Sequence, residues 1–593
     1  MEIIEEKKFK RMVMQATMQS QRNAIVYKFG VRLPRSRAEA FAFDKNNGNT
    51  KWQDAIALEL DQLDEYDTFI DKGMQIAGPS GFKRINCHFV FDCKQDLRHK
   101  ARLVAGGHMT APPRDSVYSG VVSLRSMRIV ALLAELNGIE MQAADVGNAY
   151  LEAVTSEKVY FIAGPEFGER AGHTLIIYKA LYGLRTSGAR WGEKFADTLR
   201  LEGFFPCRAD PCVWMRDAGD IWEYICIYVD DLATCLKDPQ AFFDILTGPK
   251  YNYKLKGVGP IKYHLGGDFE RDKDSTLSWG SKTYVKRMLK NYEEMFGEPP
   301  KEYLTPLDKG DDHPELDMSP ELDLDDIKKY QSLVGALQWA VSIGRFDIAV
   351  HVMTLGRYRA APRVGHLERL QRIYGYLRKY NDAAIRFRTG IPDYSEQDAS
   401  YVKQSWEYSV YGDIQEEIPS DMPEPKGQSV RLTCFWNANL MHDLTTGRSA
   451  TGILHMINQT PADWYSKRQS TVETATYGSE FVAGQTATEQ VIDIRYTLRM
   501  MGVPIDGPTY MFGDNKSVIT ISMIPHSMLG KRHNMLSYHR CREAIAAGIS
   551  KMFHMDGKQN PSDVMTKFLA HAVSFPLVKY FLFWKGPIGI DGA

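Results

Sequence analysis

No stretch of this chain stays apolar for as long as about 18 residues, so no membrane-spanning helix is expected. Charge bias is also missing: 73 Lys and Arg stand against 74 Asp and Glu, a formal net charge of −1. Any nucleic acid partner must therefore be gripped by a local basic groove rather than by bulk charge. The eight cysteines include no C-x-x-C pair and no Cys/His zinc spacing. They read as reduced thiols of an intracellular protein. The opening "MEIIEEKKFKRMVMQ" lacks the apolar core of a signal peptide. No internal repeat and no long low-complexity tract is visible. What is present, 593 residues with 44% hydrophobic and 25% charged, suits a globular chain of three or four domains.

Apolar periodicity gives a coarse outline. "WQDAIALELDQLDEYDTF" has helical spacing, and residues 1–80 read as a helical extension. "KRINCHFVFDCKQDLRHKARLVAGG" reads as two strands around a polar turn. "SLRSMRIVALLAELNG" predicts a helix with Ser123 as N-cap and Gly138 just past its end. "IEMQAADVGNAYLEA" is a strand entering a turn, and residues 225–234, "ICIYVDDLAT", read as a hairpin. Residues 271–392 are mainly helical. The polar, acidic stretch 393–429 has prolines near its end and reads as a linker or peripheral segment. A second αβ unit follows over 430–572 in the order β-β-β-α-β-α-β-α, with "SDVMTKFLA" starting its last helix and 573–593 left as a tail.

The chemistry lies in the carboxylates. Asp230 and Asp231 sit at the hairpin tip inside strand formers, and Asp145 ends an apolar strand. A bare Asp pair is first an acidic turn in solvent, because Asp is common in turns. Three carboxylates facing one point would instead repel unless a cation sits among them. Oxygen-only ligands suit Mg²⁺, and two such ions about 4 Å apart drive in-line phosphoryl transfer.

"DVGNAY" (145–150) and "YVDD" (228–231) together resemble the palm of reverse transcriptases. "HKARLVAGGH" (99–108), "KALYGLRTSGARW" (179–191), "YHLGGDF" (263–269) and "LVGALQWAVSIGRFDI" (333–348) narrow this. They resemble the polymerase region of copia-type LTR retrotransposons. In the second unit "GRSATGILH" (447–455), "DWYSKRQSTVETATYGSEF" (463–481), "FGDNKSV" (512–518), "KRHNMLSYH" (531–539) and "NPSDVMTK" (560–567) resemble the ribonuclease H domain of the same family. The likeness runs over roughly 25–585. It implies a multidomain α+β/αβ chain: a right-hand polymerase with fingers and palm over 81–270 and a helical thumb or connection over 271–392. A ribonuclease H-like βββαβαβα domain would follow.

By this resemblance Asp145, Asp230 and Asp231 hold two Mg²⁺ ions, with Mn²⁺ a substitute. Tyr150 lies where the family places a ring under the sugar to exclude a 2′-hydroxyl; a core tyrosine is the plain alternative. Lys100 and Arg102 are two apart, so they share a strand face. They match the residues that grip the incoming triphosphate, against the alternative of a solvated basic face. Gly183 would let backbone approach the template, or be a turn glycine. Tyr228 belongs to the same substrate-binding set, and His264, Leu265 and Gly266 to a hairpin that positions the primer end. The family often has a charged residue where this chain has Gly106. The implied partners are an RNA template, a DNA primer, an RNA–DNA hybrid, dNTPs and an upstream integrase portion of one polyprotein. Cytoplasmic virus-like particles are the implied location, with the nucleus the alternative.

The ribonuclease centre of the family uses four carboxylates around two metals. Glu480, Asp514 and Asp563 match three of them. The fourth should come from the first strand, where "NANLMHD" puts Asn437 in place of Asp. Asp443 belongs to the family pattern and is no obvious replacement. An amide can touch Mg²⁺ but brings no charge, so a weakened nuclease is expected. Two readings stay open: a working RNA-directed DNA polymerase with a weakened ribonuclease H, or a decayed or domesticated copy that only binds nucleic acid.

Overall fold

The computed structural model describes residues 26–28, 31–74, 78–94, 97–113, 117–308, 310, 313–529 and 532–585. The first 25 residues of the expected helical extension, Lys531, and the end of the expected tail lie outside them. No described helix is long and apolar enough to cross a membrane. The fold is mixed α/β, and the chain divides into two compact units. Neither is contiguous. The first comprises described residues up to Gly120, Val146–Glu202 and Thr247–Lys254; the second comprises Val121–Asp145, Gly203–Leu246 and Leu255 onward. These units cut across the six segments expected from composition.

In the first unit, helices Arg37–Asn47 and Lys51–Glu65 precede two small sheets. Ser36 caps the first helix, its hydroxyl accepting from Glu39 N–H, which satisfies one orphan donor of the first turn. The apolar face of Lys51–Glu65 carries Trp52, Ile56 and Leu63 into a core with Phe91 and Leu103. The hairpin Cys87–Cys93 and His99–Ala105 pairs antiparallel about the expected polar turn. Alternate residues Ala101, Leu103 and Ala105 are buried, so Lys100 and Arg102 share the opposite face.

The second unit holds a six-stranded sheet in the order Phe205–Pro206, Val213–Asp217, Trp222–Tyr228, Asp231–Cys235, Gln142–Val146, Leu255–Pro260. Helix Leu124–Leu136 starts where expected, Ser123 Oγ accepting from Ser126 N–H at 3.1 Å. The mainly helical stretch holds Lys282–Phe296, Leu324–Ser342, Ala349–Leu355 and Val364–Lys379. A five-stranded sheet follows in the order Thr460–Val472, Arg448–Ile457, Leu432–Asp443, Thr509–Gly513, Ser550–His554, its first three strands antiparallel and the last two added parallel.

Three expectations need correcting here. A helix at Lys516–Met523 interrupts the β-β-β-α-β-α-β-α order. "SDVMT" begins no long helix: Pro561–Met565 is a 3₁₀ turn, and the final helix is His571–Leu582, inside the expected tail. Residues 393–429 are not a free linker. Trp406 is buried in a core with Cys434 and Trp436, and Arg495 and Arg499 clasp the Glu416 carboxylate. Burial pushes that carboxyl up, but the two guanidiniums outweigh it and hold it at about 2.

One core joins the six-stranded sheet to the five-stranded domain: Met127, Trp222 and Tyr224 pack with Leu432, Ile457, Ile494 and Leu498. Buried Arg128 donates to Ala462 O at 2.7 Å and Ser342 O at 3.1 Å, its guanidinium 4.2 Å over the Trp464 ring. A buried cation is tolerated when its donors are filled in this way.

Candidate functional site

The first carboxylate cluster is built by strand register. Trp222–Tyr228 and Asp231–Cys235 are antiparallel with Tyr228 opposite Asp231, which leaves Val229 and Asp230 as a two-residue turn. Val229 has φ 60, the positive value that the tight turns of two-residue hairpins require. For a β-branched residue it is strained, by on the order of 1–3 kcal/mol. Buried Leu232 and Ala233 fix the next strand in the sheet, and that strand puts Asp231 directly opposite Asp145. The sheet thus brings Asp145 and Asp231 side by side, with Asp230 on the turn beside them. Burial, then the charges of Asp230 and Asp145, push the Asp231 carboxyl up to about 6. That is the signature of a site with more negative charge than its protein neighbours cancel. The donors are all oxygen, which suits a hard divalent ion. Among the described residues no three His, Cys, Asp or Glu side chains already converge to hold one.

The remaining polymerase candidates lie in the first unit. The Arg102 guanidinium sits 4.8 Å over the Tyr182 ring, and that ring lies 5.1 Å from Tyr150. Tyr182, unassigned from sequence, therefore links Arg102 to Tyr150. Glu59 accepts from Leu103 N–H at 2.9 Å beneath the same strand; burial raises its carboxyl while Lys100 and Arg102 pull it down. Gly183 has φ 91, and a Cβ there would fall 2.2 Å from Ala105 O. Its smallness is taken up by the strand His99–Ala105, with Ala105 N–H donating to Tyr182 O at 2.7 Å. The close approach expected toward a template is thus, in the chain itself, an approach to another strand. Gly106 is similar: a Cβ there would stand 2.9 Å from Asn86 O.

The hairpin Tyr263–His264 and Gly267–Arg271 forms as expected, turning through Leu265 and Gly266 at φ 50 and 86. His264 is buried, which lowers its imidazole to about 4 and keeps it neutral.

The second cluster belongs to the five-stranded domain. Asn437 lies in Leu432–Asp443 opposite Gly452 and is fully buried. Neither its Oδ1 nor its Nδ2 has a hydrogen-bond partner among the described residues, and nor does Glu480 Oε2. Leaving such atoms unpaired is costly. Glu480 Oε1 accepts from Ala438 N–H at 3.0 Å. Burial and then the Asp514 charge push the Glu480 carboxyl far up. Asp514 follows the strand Thr509–Gly513, and Asp563 sits on the 3₁₀ turn. Burial raises Asp563, while Lys567, 2.9 Å away, pulls it down. Lys567 ends the stretch "NPSDVMTK", and its spacing of four residues from Asp563 is the sequence signal for the pair. Asp443 is separate: Thr446, Arg357 and Arg468 bind it, and they outweigh its burial to hold it at about 2. Three carboxylates, a neutral amide and a lysine fit two divalent ions poorly.

A family model described as "Reverse transcriptase (RNA-dependent DNA polymerase)" matches residues 74–302. The Retrovirus-related Pol polyprotein from transposon TNT 1-94 of Nicotiana tabacum is 25% identical over 90% of this chain and 38% of its own length. That from transposon RE1 of Arabidopsis thaliana is 24% identical over 83% of this chain and 31% of its own. The chain thus spans well under half the length of these curated relatives. A solved foamy viral protease-reverse transcriptase in complex with RNA/DNA hybrid aligns over 86% of this chain and 74% of its own, at 11% identity and a TM-score of 0.30. Residues 74–302 thus match the family model of reverse transcriptases, and the chain is similar over most of its length to Pol polyproteins of retrotransposons.

Proposed function

We propose that this chain is an RNA-directed DNA polymerase that extends a DNA primer on an RNA template, with a weakened ribonuclease H at its C-terminal end. The register that sets Asp231 beside Asp145, with Asp230 on the adjoining turn, carries the reading. These three carboxylates would hold two Mg²⁺ ions, which when bound supply an activated 3′-hydroxyl and charge neutralisation at the leaving pyrophosphate. Lys100 and Arg102 would grip the triphosphate, the guanidinium through paired hydrogen bonds. The Tyr182 ring beneath Arg102 would keep that fork from swinging. Tyr150 would lie under the sugar and exclude a 2′-hydroxyl. Tyr228, across from Asp231, would brace the primer end.

Glu480, Asp514 and Asp563 would be the nuclease carboxylates, acting on the RNA of the RNA–DNA hybrid. Asn437 favours weakness there, and with it the second reading: a copy that binds nucleic acid without catalysis. Primer extension on an RNA template with Mg²⁺ and dNTPs separates the two. Extension is expected. Tight binding of the primer–template without extension supports the second reading instead.

A further inference from the structure

Tyr182, whose ring links Arg102 to Tyr150, stands on the loop 181–186. That loop contains no strand and no helix residue, so its position depends on what holds it. Three attachments do so. Ala105 N–H donates to Tyr182 O at 2.7 Å. Arg185 Nε donates to Gly107 O at 2.9 Å. The third is Glu157, a carboxylate with no role so far. Its Oε1 accepts from Thr186 N–H at 3.1 Å and from the Thr186 hydroxyl at 2.9 Å, and its Oε2 lies 3.2 Å from the Thr110 hydroxyl. Thr186 stands at the N-cap of helix Ser187–Leu201 but makes no capping bond with its own side chain. An N-cap hydroxyl ordinarily accepts from the first helical turn; this one donates to Glu157 instead. The positive end of the helix dipole favours a carboxylate there. Thr186 is buried, so without Glu157 its N–H would be left unpaired away from water, which is costly. The contact is also tight: a Cβ on Gly107 would fall 2.2 Å from Gly183 O.

We propose that Glu157 is a positioning residue of the nucleotide site: it clamps 181–186 against 105–110 and so sets where the Tyr182 ring lies against Arg102 and Tyr150. This rests on reading Lys100, Arg102 and Tyr150 as that site. Glu157 acts through the loop and touches no substrate. Slack in the loop is felt at both ends of the Tyr182 ring. Arg102 loses the surface its guanidinium rests on, so the triphosphate is held less well. Tyr150 loses its neighbour, so the exclusion of a 2′-hydroxyl relaxes. A misplacement of an ångström in supporting structure is enough to weaken a site.

The experiment is steady-state primer extension by the full chain, read as kcat and KM for dNTP and as the ratio of rNTP to dNTP use. Glu157→Ala should raise KM about tenfold and the ratio about threefold, with kcat within about twofold, because binding rather than chemistry is disturbed. Glu157→Gln keeps an oxygen for Thr186, and its Nε2 can donate to the Thr110 hydroxyl, which itself donates to Gly107 O at 2.8 Å. It should stay within about twofold of the parent, since every bond of the clamp is kept. In a Tyr182→Leu background Glu157→Ala should add less than about twofold, since no ring is left to place. A brace that matters only for folding would lower the melting temperature and leave KM and the ratio alone. Parent-like KM and ratio in folded Glu157→Ala, a Glu157→Gln as impaired as Glu157→Ala, or effects that multiply in full with Tyr182→Leu each overturn the role of Glu157. A raised KM in Arg102→Ala then leaves the nucleotide-site reading standing. Parent-like KM in both Lys100→Ala and Arg102→Ala, or no extension by the parent, overturns that reading and this inference with it. Melting curves identify a Glu157→Ala that fails to fold. Glu157→Asp, one methylene too short to reach both threonines, then takes its place under the same criteria.

Discussion

The two carboxylate clusters both lie in the second unit, one on paired strands and the other on a helix, a strand end and a 3₁₀ turn, and they handle negative charge differently. The cluster of Asp145, Asp230 and Asp231 is set by a strained turn and by strand register. Its excess charge appears as the raised Asp231 carboxyl. The cluster of Glu480, Asp514 and Asp563 is more deeply buried, carries the neutral Asn437, and has Lys567 paired with Asp563. In one arrangement carboxylates face one another across a strand pair; in the other a lysine is paired with one of them. Charge demand, rather than the presence of acids, is therefore what distinguishes the two.

The largest test of this contrast is Asp230→Asn. It should lower DNA synthesis about a thousandfold, the loss of several kcal/mol of charge stabilisation at a two-metal centre. The melting temperature should hardly move, because Asp230 lies on a turn. Near-normal extension by the folded variant would remove the polymerase half of the comparison.

Next in size is Asn437→Asp. Cleavage of an RNA–DNA hybrid should rise roughly 10- to 100-fold, about 1.4–3 kcal/mol of recovered barrier, while primer extension stays unchanged. The parent should be partly rescued by Mn²⁺, which binds such ligands more tightly than Mg²⁺. Without metal the variant should melt lower than the parent, since it buries a further carboxylate beside Glu480. Equal cleavage by parent and variant at low Mg²⁺ shows that Asn437 does not limit this site.

A smaller effect is expected at Tyr150. Tyr150→Val should raise rNTP use relative to dNTP about tenfold, on the order of the steric discrimination one side chain provides. Steady-state incorporation ratios measure it, and an unchanged ratio leaves Tyr150 as packing for Tyr182.

The smallest test is a pH dependence. The folded protein keeps the Asp231 proton up to about pH 6, whereas the unfolded chain releases it near pH 4. The native state binds more protons between those values. The stability from this group is full below about pH 4 and is lost as pH rises through about 6. Metal-free melting temperatures should therefore fall across that window, and Asp231→Asn should flatten the fall. A curve that Asp231→Asn leaves unaltered breaks the charge-demand account.

Local pattern made much of this visible. The hairpin around Asp230 follows from apolar strand formers flanking a polar pair, and Ser123 marks a helix start because its hydroxyl can fill an orphan N–H. Helix Lys516–Met523 was not visible. "KSVITISM" is rich in β-branched residues that favour strands, and only the Asn515 side chain, accepting from Val518 N–H, and burial of Val518 and Ile519 decide for helix. The stretch 393–429 misled for a related reason. Its composition is that of a linker, but Trp406 and Glu416 each find a distant partner, and two anchors suffice to dock a polar segment.

By itself the sequence determined the chemistry on offer: which carboxylates exist, that one position holds Asn437, and that Lys100 and Arg102 share a face. Those are local properties, fixed by residue type and by the period of a strand. Tertiary structure alone decided where the charges meet. Strand register put Asp231 opposite Asp145, packing spent the space beside Gly183 on another strand, and the turn just past Pro561–Met565, closed by Lys567 N–H donating to Asp563 O, brought Lys567 to Asp563. Each depends on residues far apart in the chain or on a turn geometry that composition does not dictate. Electrostatic energy depends on distance and burial, and only the folded chain sets those.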